Sequence, residues 1–73
     1  MDIDALKEAL KSSNVTVAFT KKDGTKRVMR CTQNPNVTMQ AIKEGANNLI
    51  TVWDLDNDAW RSFYVDKIIM WTK

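Results

Sequence analysis

At 73 residues the chain has room for one hydrophobic core and none for a catalytic domain joined to a second unit, so residues 1–73 are read as a single domain. Hydrophobic residues at 44% and charged residues at 27% match a folded globular protein and exclude a disordered tail. A formal net charge of +2 does not by itself demand a nucleic-acid partner, while the lack of histidine and the single cysteine exclude the usual serine and cysteine triads, histidine zinc sites, thiolate clusters and an intrachain disulfide.

Ile3, Leu6, Ala9 and Leu10 recur at helical spacing, with Asp2 placed to cap the first turn and Lys11 near the negative end of the helix dipole. Residues 3–11 are therefore predicted to form a short amphipathic helix, which at this length needs a sheet to lie on. Met1-Asp2-Ile3-Asp4 is acidic where a secretory signal is basic, and no apolar run approaches the roughly 18 residues of a membrane span. An intracellular protein, in the cytoplasm, is expected.

Val15, Val17 and Phe19 alternate with Thr16, Ala18 and Thr20, and a second strand-like run extends from Thr25 to Thr32 after Lys22-Asp23-Gly24. A two-residue Asp23-Gly24 turn pairs Val17 with Arg30 and mixes charge into the apolar face. A three-residue loop with Gly24 as a left-handed bulge instead pairs Val15 with Cys31 and Val17 with Met29. The bulged loop is the expected one. It puts Thr16, Thr20, Lys26 and Arg30 on the opposite face with Ala18 and Val28.

Residues 33–48 hold the only proline and form the long connection, within which Thr38 is expected to cap a one-turn helix through Glu44, with Val37 and Ile42 as a staple and Gly45 as the stop. Strands 48–54 and 59–64 follow around a tip at Asp56-Asn57, so that Ile50 opposes Phe63 and Trp53 opposes Trp60. Val65-Asp66-Lys67 is a short break before a fifth strand from Ile68 to Thr72. A helix followed by five short strands is the layout of a mostly-β, five-stranded SH3-like or Sm-like barrel, in which closure removes the exposed edges.

The hairpin from Lys21 to Arg30 carries five cations against one anion, a charge placement suited to phosphates; lysines on an exposed hairpin also keep it soluble and block edge pairing. Asp54, Asp56 and Asp58 imitate the start of a calcium loop, but Ala59 stands where Gly is needed and Val65 where a bidentate Glu is needed, so they read as turn residues. Most tryptophans are expected in packing, with Trp60 beside Arg61 also suited to stacking on a base. Cys31 alternates with Met29 and reads as a small buried hydrophobe. No nucleophile with a base, metal cluster or phosphate loop can be assembled, so no enzyme, metal or cofactor is expected.

The run from Val52 to Ile68 resembles the C-terminal signature of WYL domains, an acidic hairpin followed by an Arg-x-Phe-Arg-Leu-Asp-Arg-Ile-like segment. Arg61, Phe63, Val65, Asp66 and Ile68 match it in identity or type, while Tyr64 and Lys67 stand in place of the second and third signature arginines. The Thr20-to-Thr25 hairpin followed by Arg30-Cys31-Thr32 is similar to short stand-alone bacteriophage relatives. The family's Trp-Tyr-Leu run is absent from the Leu49–Asp54 segment, and no helix-turn-helix precedes the barrel, so a complete transcription regulator is not expected. The resemblance implies an Sm-like barrel of a family whose larger members sense nucleic acid or nucleotide ligands, or contact partners. Two functions are expected from this: a regulatory module binding nucleic acid or a nucleotide-type ligand, or an accessory protein that binds and modulates a host protein. The binding surface is expected to comprise Lys21, Lys22, Lys26, Arg27, Arg30, Trp60, Arg61 and Lys67, with self-association of the small barrel.

Overall fold

The computed structural model describes residues 3–41 and 48–73. Its elements are α1 Ile3–Ser12, β1 Val15–Thr20, β2 Lys26–Thr32, a one-turn α2 Pro35–Thr38, β3 Leu49–Asp54, β4 Ala59–Tyr64, a 3-10 turn Val65–Lys67 and β5 Ile68–Thr72. The five strands form one antiparallel sheet in the spatial order β4-β3-β2-β1-β5. The expected cap at Asp2 lies outside the described residues.

The first hairpin has the bulged loop. Val15 pairs with Cys31 and Val17 with Met29; the Lys21 N–H donates to the Thr25 carbonyl at 2.7 Å, leaving Lys22, Asp23 and Gly24 as the loop. Gly24 sits at φ +88°, where an L side chain is strained even though the space around it is open. The Asp23 carboxylate braces the turn by accepting from the Thr25 backbone N–H at 3.0 Å and its hydroxyl at 2.6 Å. The second hairpin also has the expected register, with Ile50 opposite Phe63 and Trp53 opposite Trp60.

The expected closed barrel is not reached: β4 and β5 are the two ends of an open sheet. The sheet is nevertheless coiled. In a flat sheet the first and fifth strands stand about 19 Å apart at about 4.8 Å per neighbour. The three-residue 3-10 turn that carries the chain from β4 to β5 spans only about 6 Å. The two edges must therefore approach each other, and the bend is concentrated where β2 leaves β3, since these strands share only the pairs Cys31–Asp54 and Thr32–Trp53. The bend brings the sheet's concave face around one core without a β4–β5 ladder.

That core consists of Leu6, Ala9 and Leu10 from α1, Val15, Val17 and Phe19 from β1, Met29 and Cys31 from β2, Ile50 and Val52 from β3, and Phe63 from β4. Phe19 and Phe63 stack with centroids 5.1 Å apart. The C-terminal end of α1 is fastened to the end of β2. The Leu10 carbonyl accepts from the Gln33 N–H at 2.8 Å and the Thr32 hydroxyl at 3.2 Å, so groups that an isolated helix leaves unmatched are satisfied in the interior. Gln33 then reaches across to donate its side-chain amide to the Thr51 carbonyl at 2.7 Å.

The helix in the connection starts earlier than expected. Asn34 caps it by accepting from the Asn36 N–H, Pro35 opens it, and Met39 in the left-handed region at φ 60° ends it. Thr38 is its last residue instead of its cap, and the Thr38 hydroxyl engages the Gln40 backbone at 2.9 and 3.1 Å. Asn-Pro wins because the side-chain acceptor and the pre-set proline φ act together at one helix start. The expected continuation through Ile42, Glu44 and Gly45 lies outside the described residues. Among the described residues no helix is long and apolar enough to cross a membrane.

Candidate functional site

Strand alternation divides the basic hairpin between two faces. Arg27 pairs with Phe19 and shares the core-side face with Met29, while Lys26 and Arg30 pair with Thr20 and Thr16 on the convex face. The expected five-cation surface is thus split. At the open end of the coiled sheet, Lys21, Lys22 and Arg27 meet Arg61 from β4 around a cavity of about 210 Å³ that Phe19, Met29 and Ser62 also line. Four cations surround a floor of one aromatic ring and one thioether.

Asp54, the last residue of β3, organises this rim. Its side chain is fully buried, and its carboxylate lies 3.1 Å from the Arg27 guanidinium and 3.9 Å from Arg61 Nε. The same carboxylate accepts from the backbone N–H of Asp56 at 3.0 Å and of Asn57 at 3.3 Å, and from the Asn57 side-chain amide at 2.7 Å. Burial alone pushes its pKa up. The Asn57 amide, the two backbone N–H groups and the Arg27 charge outweigh that and hold it below the ordinary 3.8. Asp54 therefore stays ionised, caps the second hairpin's turn and fixes two arginines that come from strands far apart in sequence. One buried carboxylate against four cations leaves the cavity strongly positive.

The other expected site residues lie elsewhere. Trp60 follows the opposite alternation from Arg61: it stands edge-on to Trp53, with centroids 5.5 Å apart, and donates its indole N–H to Gln40 at 2.9 Å. The expected pairing of Trp60 with Arg61 at one base is not formed, because neighbouring residues of a strand face opposite sides. Lys67 is exposed in the 3-10 turn and does not line the cavity. Arg30 reaches Asp56 at 3.7 Å, an exposed pair of little energetic weight. Cys31 is buried and burial pushes its thiol up to about 12, which leaves it protonated and unreactive in the folded chain.

Sequence reasoning missed Asp54 as the organiser of the site. Its position at a strand end before Asp56-Asn57 carried the signal of an Asx turn. Nothing local signalled Arg27, which lies 27 residues away.

The comparisons with known proteins agree with this architecture. The WYL_2 family, described as an Sm-like SH3 beta-barrel fold, matches residues 3–69. An 11.5 kDa protein of Enterobacteria phage T4, from the Gp31-cd intergenic region, is 34% identical over 74 residues, which span 90% of this chain and 72% of the relative. No solved structure matches the chain significantly. Helix, coiled five-stranded sheet and a family match over nearly the whole length agree: the chain belongs to the WYL_2 family of Sm-like domains.

Proposed function

We propose that this domain is a binding module, not an enzyme, and that it holds a nucleic-acid strand at the rim formed by Lys21, Lys22, Arg27 and Arg61. The observation that carries the reading is the convergence of these four cations on one cavity floored by Phe19 and Met29. Lysines supply mobile point charge and arginines forked donors to phosphate oxygens, while the apolar floor accommodates the uncharged part of a nucleotide. Size favours a strand over a free nucleotide. Pockets that enclose a whole small ligand measure about 300 to 1,000 Å³. The 210 Å³ here takes one group of a longer molecule that continues over the surface.

With Asp54 offsetting one of the four cations, about three phosphates are neutralised, and log K against log salt is expected to fall with a slope of about −2 for single strands and about −3 for duplex. Fluorescence anisotropy of a labelled oligonucleotide over a salt series measures it. Lys21→Ala with Lys22→Ala should flatten the slope by about 1.4 on single strands, whereas Lys26→Ala, on the other face, should leave it unchanged. Failure of every oligonucleotide to bind at low salt would remove the reading.

The small core and the Sm-like layout support self-association as a second property of the same chain, since strands of such a domain can continue a sheet across subunits. Light scattering at rising protein concentration is expected to show a mass above that of one chain. A constant monomer mass into the millimolar range counts against it.

A further inference from the structure

The convex face of β2, β1 and β5 carries an apolar row that the fold does not use. Ala18 pairs with Val28 on one side and with Met70 on the other, so the three side chains stand abreast across three strands. Val28 is 62% and Met70 58% exposed. A lone exposed valine or methionine needs no explanation. Here a β-bulge enlarges the row. Val17 opposes Trp71 and Phe19 opposes Ile68, both of which pack toward the core, so β5 places two residues, Ile69 and Met70, against the single Ala18. Both are turned outward, Ile69 at 45% exposure. The insertion breaks an alternation that otherwise leaves one outward residue there, as bulges that re-aim a side chain do.

Charge identifies the occupant. Lys26 lies on one flank of the row, opposite Thr20, and Arg30 on the other, opposite Thr16. The remaining convex-face position on β5 is Thr72, opposite Thr16, and among the described residues the carboxylate paired with these cations is Asp56, at 3.7 Å from Arg30. The two cations are four positions apart, about 13 Å along the strand. A second copy placed on this face brings like charges together, and a nucleic-acid backbone meets apolar side chains where it needs donors. The row is about 10 Å wide across its three strands and about 13 Å between its flanking cations, roughly 130 Å², well short of the roughly 800 Å² per partner of a standard protein interface.

We infer that this face docks a short protein segment with two or three apolar side chains flanked on both sides by Asp or Glu. It is separate from the cavity and can be occupied together with it. The test uses the full chain, ¹⁵N-labelled, titrated with a nine-residue synthetic peptide bearing Leu-Phe-Leu at its centre and two Glu at each end. Its counterpart with Lys in place of Glu is the control. Amide shifts are expected at Ala18, Val28, Ile69 and Met70, with at least tenfold weaker binding of the control. Val28→Thr with Met70→Gln should weaken the Glu peptide at least tenfold, and as both sites are exposed the circular dichroism spectrum should not change. Lys26→Glu with Arg30→Glu should reverse the preference between the two peptides.

The proposal is overturned by equal binding of the two peptides, by shifts confined to Lys21, Lys22 and Arg61, or by no binding at millimolar peptide. Shifts on this face that grow with the chain's own concentration, or that a thymidine oligonucleotide produces in place of the peptide, overturn it too. Loss of oligonucleotide binding in Lys21→Ala with Lys22→Ala, with peptide binding intact, separates this face from the cavity.

Discussion

Phe63→Ala is expected to lower the stability of the fold by about 3 to 5 kcal/mol. Phe63 is the side chain through which β4 enters the core. It lies opposite Ile50 and stacks on Phe19 at 5.1 Å with an interplanar angle of 17°. Truncation removes both the transfer energy of the ring and the contacts of its neighbours, and among the described residues no strand lies beyond β4 to close the gap. At roughly 0.05 to 0.15 kcal/mol per residue, a domain of this length has about 4 to 11 kcal/mol in all. The variant is therefore expected to lie close to unfolding at room temperature. Urea denaturation followed by tryptophan fluorescence measures the loss, with Tyr64→Ala as the exposed neighbour expected to stay within about 0.5 kcal/mol. A loss below 1 kcal/mol for Phe63→Ala contradicts the assignment of β4 to the core. Because Phe63 supports Phe19, which floors the cavity, any folded fraction of this variant should also bind oligonucleotides less well.

Asp54→Ala is the second large effect, at about 2 to 4 kcal/mol. It leaves the backbone N–H groups of Asp56 and Asn57 and the Asn57 amide without their acceptor, and it removes the counter-charge of Arg27. The loss falls short of that for a fully buried ion pair because the half-exposed Arg27 can be rehydrated. Asp54→Asn keeps an acceptor and should recover part of the difference. The pH dependence has a definite sign. Since the folded pKa is held below the ordinary 3.8, the carboxylate's contribution is present in full above the unfolded value and is lost as the pH falls through the lower folded value. Wild-type stability should therefore fall below about pH 4 more steeply than that of Asp54→Asn, in thermal melts from pH 6 down to pH 2. Equal slopes for the two proteins are incompatible with the ionised, turn-capping role. Oligonucleotide binding reads the same residue differently. Without Asp54 the rim gains net positive charge but Arg27 and Arg61 lose their common anchor, so the salt slope should steepen while affinity at moderate salt falls.

Strand pattern and turn chemistry were legible in the sequence because both are local. The period-two runs of Val15-Val17-Phe19 and Ile50-Val52 mark which side chains must be buried, and a slip of one residue turns all of them to solvent. Combined with a glycine able to take φ +88° three residues into a loop, this leaves one register for the first hairpin. The same logic placed Ile50 opposite Phe63 and Trp53 opposite Trp60. The WYL signature, carried by Arg61, Phe63, Asp66 and Ile68, is also a run of neighbouring residues, so it survives in a single sequence.

The remaining features depend on how far strands bend and which distant side chains then meet. Whether β4 joins β5 turns on the accumulated coil of five strands, to which each residue contributes a few degrees, and no residue type marks the sum. The convergence of Lys21, Lys22, Arg27 and Arg61 results from that coil, as does the burial of Asp54 between two arginines of different strands. Alternation then separated Trp60 from Arg61, which stand side by side in the sequence, because adjacency in a strand is opposition across a sheet; the outward placing of Lys26 and Arg30 already followed from the bulged register of the first hairpin. Legible from the residues alone were the first helix, the five strands, the two hairpin registers and the family, all of which rest on interactions within a few residues or between strands joined by a short turn, while the helix at Pro35–Thr38 was placed too late. Only the folded chain shows the open coiled sheet, the composition of the cavity and the addition of Ile69 and Met70 to Ala18 and Val28 in the outward apolar row, since each depends on contacts between segments whose separation the chain does not constrain.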